Sequence, residues 1–265
     1  MAQEWTWWGS YRVPIDEARY WRIGALDLFV ARRDDGWLVQ SFEHARDEVE
    51  DPPLEIASEI AWMPGNTQSD VVHYKAPGFD DSLTLVPRLA DRAVVSRPRM
   101  PFNIAPDASV TLYVGTPLWV ELKAGVDAVT LCELPLMRPS QTWFGSSTVE
   151  GALCYAARTY CRTNAQDVPL RPWRAISPLR LENRAKDGWM LDRVVLPVPQ
   201  LPLFVSTDGR LWTSSLSTRR DHEGKVGDIR VGDAPPVEPG PWTEQGKPRR
   251  SGSSSILGRF YGNLF

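Results

Sequence analysis

Apolar and polar positions alternate with a period of two over much of the chain. Leu26, Leu28 and Val30 alternate with Asp27 and Phe29, Asp34-Asp35-Gly36 then supplies turn chemistry, and Trp37, Leu38 and Val39 restart the apolar run. This pattern predicts a hairpin. Leu179 and Leu181, followed by Lys186-Asp187-Gly188 and Trp189, predict a second one in the same way. Val110, Leu112 and Val114 form a further strand, Gly115-Thr116-Pro117 breaks it, and Leu118, Val120 and Leu122 resume it. Leu203 to Val205, a Thr207-Asp208-Gly209 turn and Leu211-Trp212 complete the series. Helical spacing is scarce. Ser147 and Glu150 form a capping-box pattern ahead of Val149, Ala152, Leu153, Ala156 and Tyr160, although a strand through Leu153 to Tyr155 is equally permitted. A short helix is the other expectation, after Pro52-Pro53, with Leu54, Ile56, Ile60 and Ala61.

Several motifs recur in order. T-W-W-G-S at 6–10 returns as T-W-F-G-S at 142–146, Trp21-Arg22 as Trp173-Arg174, and Asp35-Gly36-Trp37 as Asp187-Gly188-Trp189. Asp91-Arg92 with Val94-Val95 returns as Asp192-Arg193 with Val194-Val195. The order points to duplication of one module. The expected fold is all-β: two tandem, related sandwich- or barrel-like units with pseudo-twofold symmetry and at most one or two short helices. The first unit spans 1–138 with an insertion near 40–90, the second spans 139–232, and 233–265 is a Pro/Gly/Ser-rich linker ending in a docking segment.

Composition narrows the function classes. Gly and Pro number 19 and 23 of 265 residues, above the roughly 12% expected, as short strands joined by many turns require. Thirty Lys and Arg against 33 Asp and Glu leave no cationic excess for nucleic acid as the main partner. The longest uncharged run, Val194 to Thr207, is 14 residues with three prolines, short of the roughly 20 that a spanning helix needs. Glu4 stands where an export signal would carry basic residues, so a cytoplasmic location is expected. Cys132, Cys154 and Cys161 are odd in number and fit no metal spacing, which predicts reduced, packed thiols.

Reactive constellations are not legible. His44, His73 and His222 have no second ligand at metal-binding spacing, and no phosphate-cradling glycine motif is present. Gly145-Ser146-Ser147 lacks the second glycine of a nucleophile elbow. No catalytic residue, metal or cofactor is therefore assigned, and no enzyme class is supported. Six of the 12 tryptophans (Trp7, Trp21, Trp37, Trp143, Trp173 and Trp189) occupy matching places in the two copies and are expected in the core. Among the unmatched ones, Trp62, Trp119 and Trp212 are candidates for a platform that stacks on a small ligand or glycan.

The tail has a different character. Ala234 to Pro241 and Lys247 to Ser255 are linker material, and Ile256, Leu257, Phe260, Tyr261, Leu264 and Phe265 then gather on one side of a helix. With Arg249 and Arg250, they form a candidate docking peptide for another protein. Two alternatives stay open: the tip covers its own sheet edge or core, or its basic residues draw it to an anionic membrane surface. The expected function is that of a non-catalytic accessory or adaptor protein, with small-ligand or glycan binding as the first alternative and an enzyme of unrecognised class as the second. Oligomeric state is not legible.

Pro139 to Ala157, with T-W-F-G-S and Gly151-Ala152-Leu153-Cys154-Tyr155-Ala156, together with Thr116-Pro117-Leu118-Trp119-Val120, resembles an uncharacterised bacterial and archaeal domain family of unknown function. The likeness covers roughly residues 5–215. It implies no reaction and carries over no catalytic residue, and the linker and aromatic tip lie outside it.

Overall fold

The computed structural model describes residues 6–44, 55–60, 71–75, 80–98, 100–145, 151–159, 161–237 and 240–250. Among these the fold is all-β, with two single-turn 3-10 helices at Ala165–Asp167 and Val198–Gln200. No helix among the described residues is long and apolar enough to cross a membrane. The chain forms two compact units: 1–88, 118–138 and 171–173 make up unit 1, and 89–117, 139–170 and 174–265 make up unit 2.

Unit 1 contains an antiparallel sheet of β2 (Ala18–Ile23), β3 (Leu26–Arg33), β4 (Gly36–Glu43), β5 (Glu55–Ile60) and β6 (Val72–Lys75), in the order β5-β2-β3-β4-β6. The hairpin predicted around Asp34-Asp35 is present, with Arg33 opposite Gly36 and Val30 opposite Val39. Its alternation places Leu28, Val30 and Trp37 in the interior, each fully buried. β1 (Gly9–Arg12) pairs with β7 (Ser82–Leu89), whose every second side chain is buried. The short helix expected after Pro52-Pro53 is replaced by β5, whose backbone pairs with β2, Trp21 standing opposite Ile56. The open edge of β2 supplies backbone partners that an isolated two-turn helix lacks.

β10 (Ser109–Ala124) corrects a second expectation, because it runs unbroken through Gly115-Thr116-Pro117. Residues 109–117 belong to unit 2 and 118–124 to unit 1. Thr116 is fully buried, and its hydroxyl lies 2.7 Å from that of Ser177, so this tripeptide is interior strand and not a turn. A Cβ on Gly115 would meet the Arg174 side chain and the Thr159 hydroxyl at 3.3 Å, which accounts for the glycine without bending the chain. Beyond it, β10 pairs with β11 (Val129–Pro135) in unit 1.

In unit 2, β12 (Ser140–Phe144), β13 (Ala152–Thr159), β8 (Val94–Pro98) and β16 (Val194–Leu196) form one sheet, with β13 parallel to β8. Between the two readings of the segment after Ser147, the structure takes the strand. Thr142 faces Cys154 and Trp143 faces Leu153, so Cys154 turns inward while Leu153 stays exposed. β14 (Arg174–Asn183) pairs antiparallel with β10 and parallel with β18 (Leu211–Thr213) and β19 (Leu216–Arg220). The predicted turn at Thr207-Asp208-Gly209 joins β17 (Leu203–Ser206) to β18, with Gly209 at φ +79° and Phe204 opposite Trp212. β20 (Arg230–Val231) borders β19, and β21 (Trp242–Gly246) borders β17.

The second predicted hairpin does not form. β15 (Trp189–Leu191) pairs instead with β9 (Phe102–Ile104). Asn183 is the cause: its fully buried amide donates to the carbonyls of Ile104, Ala105 and Asp187 and accepts from the Ala185 N–H, turning the chain away from β14. Tandem duplication is not established by this fold. Val95 and Val195, which match in the repeat, face each other across β8 and β16 of a single sheet in unit 2. Five of the six matched tryptophans are buried, but Trp143 is 48% exposed on edge strand β12.

Candidate functional site

A concavity of unit 2 lies over one face of β14 and β19. These strands run parallel with Arg180 beside Ser217 and Glu182 beside Arg219, so the four side chains share a face. The opposite face presents Leu179, Leu181 and Leu216 to the core. The wall is built by the loop after β19. Asp221 accepts from the amides of Glu223 and Lys225, Gly227 N–H donates to the Arg219 carbonyl, and the Thr218 hydroxyl donates to the Gly227 carbonyl at 2.7 Å. Arg230 of β20 follows, and Pro248 and Arg250 complete the rim. The cleft encloses about 1120 Å³, slightly above the roughly 300–1,000 Å³ usual for small-molecule sites.

Charge in the cleft is unevenly committed. The Arg184 hydrogen bond at 2.7 Å holds the Glu182 carboxyl below its usual range, opposed by partial desolvation and reinforced by the charges of Arg184, Arg219 and Arg180. Asp221 is engaged by its own turn, and Lys225 pairs with Glu223 at 3.2 Å. The guanidinium groups of Arg180, Arg219, Arg230 and Arg250 form no hydrogen bond or close ion pair among the described residues. This set is not legible as a group in the sequence, because the strands that bring it together are far apart in the chain. The usable signal was polar alternation: Arg180 and Glu182 around Leu181, then Ser217 and Arg219 around Thr218.

A second polar cluster sits in unit 1. The buried Asp27 carboxylate accepts from the Tyr20 hydroxyl at 2.7 Å and from Arg22 Nε at 2.8 Å, and it also pairs with His44 Nε2. Burial pushes its pKa up, but the hydrogen bonds from Arg22, His44 and Tyr20 outweigh this and hold the carboxyl below its ordinary range. The cluster ties β2, β3 and the end of β4 together. Among the described residues, no group of three or more His, Cys, Asp or Glu is arranged to hold a metal ion. All three cysteines are free thiols. Burial pushes Cys154 up to about 11 and Cys161 up to about 12, which keeps both protonated at neutral pH.

The residues singled out from sequence are dispersed. Trp212 is 1% exposed and is held edge-on between Tyr113 at 6.1 Å and Trp242 at 5.7 Å, against Val168 and Ile176. Trp119 is buried on β10 opposite Pro135, and Trp62 lies outside the described residues. Neither Trp119 nor Trp212 lines the cleft. Arg249 Nε donates to the Leu89 carbonyl at 2.7 Å, and the Arg250 amide donates to the Pro199 carbonyl at 2.9 Å. Ile256, Leu257, Phe260, Tyr261, Leu264 and Phe265 lie outside the described residues.

A family model described as "Protein of unknown function (DUF432)" matches residues 7–264. The chain belongs to the DUF432 family. No curated protein and no solved structure matches it. The DUF432 match corrects the span read from sequence, because it continues past residue 215 through the linker and into the aromatic tip. In this DUF432 chain the tail is therefore part of the family's own pattern, not an addition to it.

Proposed function

We propose that this DUF432 chain is a non-catalytic accessory module that works in the cytoplasm by binding, and that the unit 2 cleft receives its ligand. The observation that carries this reading is a ligand-sized cleft with a polar floor supplied by two adjacent strands and a wall fixed by turn hydrogen bonds. Support for a binding role over a catalytic one comes from the protonated state of the buried thiols and from the described lining residues, among which no nucleophile is paired with a base. Because the lining has no aromatic ring among the described residues, the glycan-stacking alternative finds no support in them.

The test is a thermal-shift screen of neutral, cationic and anionic small molecules against the full chain and a Ser217→Trp variant that fills the cleft. A ligand at 100 times its Kd stabilises the native state by about 2.7 kcal/mol. A shift seen in the wild type and lost in the variant is expected. No shift from any compound, or equal shifts in both proteins, would remove the reading.

A second reading, docking of another protein by the C-terminal segment, is favoured by the apolar spacing of Ile256, Leu257, Phe260, Tyr261, Leu264 and Phe265. Deleting residues 251–265 should then abolish capture of a defined protein partner. Unchanged capture would refute it.

A further inference from the structure

We infer that the ligand of the unit 2 cleft is a small molecule bearing more than one phosphate group. This rests on the binding role proposed above and names the chemistry that the cleft selects. Arg180 and Arg219 stand diagonally on one sheet face, one strand apart and two residues out of register, with Ser217 beside Arg180. Arg230 and Arg250 approach from the wall and the rim.

Four guanidinium groups thus border one concavity with no hydrogen-bonded or ion-paired acidic partner among the described residues; of the carboxylates in the lining, Glu182 is held by Arg184 and Asp221 by its own turn, and Asp228 and Asp233 leave the arginines in excess. A guanidinium offers a planar fork of donors that matches two oxygens of a phosphate, which a neutral ligand cannot use. One phosphate would occupy a small part of 1120 Å³, so separated arginines call for separated anionic groups. Val226, Ile229 and Val231 supply the apolar part of the lining, and among the described residues no aromatic side chain there offers a nucleobase or sugar ring a stacking surface. The class that fits is a multiply phosphorylated metabolite.

The probe is inorganic tripolyphosphate, titrated calorimetrically into the full chain, with citrate as a carboxylate polyanion and a neutral disaccharide as controls. Tripolyphosphate should bind, weaken as salt rises, and lose at least about tenfold in affinity in Arg180→Ala and in Arg219→Ala. Arg219→Lys, which keeps the charge and removes the fork, should fall between Arg219→Ala and the wild type. Circular dichroism and Tm confirm that each variant is folded. Absence of tripolyphosphate binding, binding unchanged in both alanine variants, or citrate binding as tightly as tripolyphosphate would each overturn the inference. If tripolyphosphate fails but another compound gives a shift that Ser217→Trp abolishes, the phosphate class falls and the cleft's binding role stands. If neither occurs, both fall.

Discussion

A Cβ on Gly24 would stand 2.9 Å from Cγ of Trp173. Gly24 is in the turn between β2 and β3 at φ +63°, and Trp173 is 3% exposed, so the glycine serves both the left-handed turn and the close approach of the indole. Gly24→Ala should destabilise the chain by about 3 kcal/mol through backbone strain and overpacking together, lowering Tm by roughly 6–10 °C. In a Trp173→Leu background the additional cost of Gly24→Ala should shrink to the backbone part. Full additivity in this double-mutant cycle would show that the indole contact contributes nothing.

Asp27 makes acid stability predictable in sign. Its folded pKa lies below the ordinary value of 3.8, so its contribution is complete above that value and is lost as pH falls through the folded pKa. Asp27→Asn removes the charge that Arg22 and His44 address and should cost about 3 kcal/mol at pH 7. Urea midpoints measured from pH 7 to pH 2 should converge for wild type and variant at the acid end. A constant separation across that range would contradict the assignment.

Trp212 and Trp143 give opposite expectations for the same substitution. Trp212→Ala should cost about 4 kcal/mol, because the buried ring leaves a cavity against Tyr113, Ile176 and Trp242. Trp143, 48% exposed, should cost no more than about 1 kcal/mol when replaced by alanine. Denaturant unfolding of the two variants decides, and comparable losses would show that the two rings are not in different environments.

Cys154 and Cys161 should resist thiol reagents in the native state at pH 8 and react only as the chain unfolds, with pKa values of about 11 and about 12. Because both are raised above the ordinary 9.0, burial of the neutral thiols contributes stability that is intact below pH 9. It declines as pH rises through the folded values. Stopped-flow labelling of Cys154→Ser and Cys161→Ser variants checks this, and fast native labelling at either site would refute it.

The sequence made strands legible wherever one face was buried and the turn chemistry was local, as in Leu26 to Val39 and Leu203 to Trp212. It misled where a residue answered to distant neighbours. Gly115 and Pro117 carry turn vocabulary, yet Gly115 is small because Arg174 and Thr159 crowd it, and Thr116 is tied to Ser177. Asn183 resembles an ordinary loop residue, but its amide reaches carbonyls almost 80 positions earlier. The cleft was hidden for the same reason: Arg180 and Arg219 become neighbours only through the parallel pairing of β14 with β19.

The passage of β10 from one compact unit into the other bears on how this protein can be dissected. The backbone also changes unit after residues 88, 138, 170 and 173, so neither body corresponds to a contiguous gene fragment. Expressing either half by simple truncation would strip core strands from both bodies, and insertions are better tolerated at surface turns such as Asp34-Asp35 than at any midpoint cut.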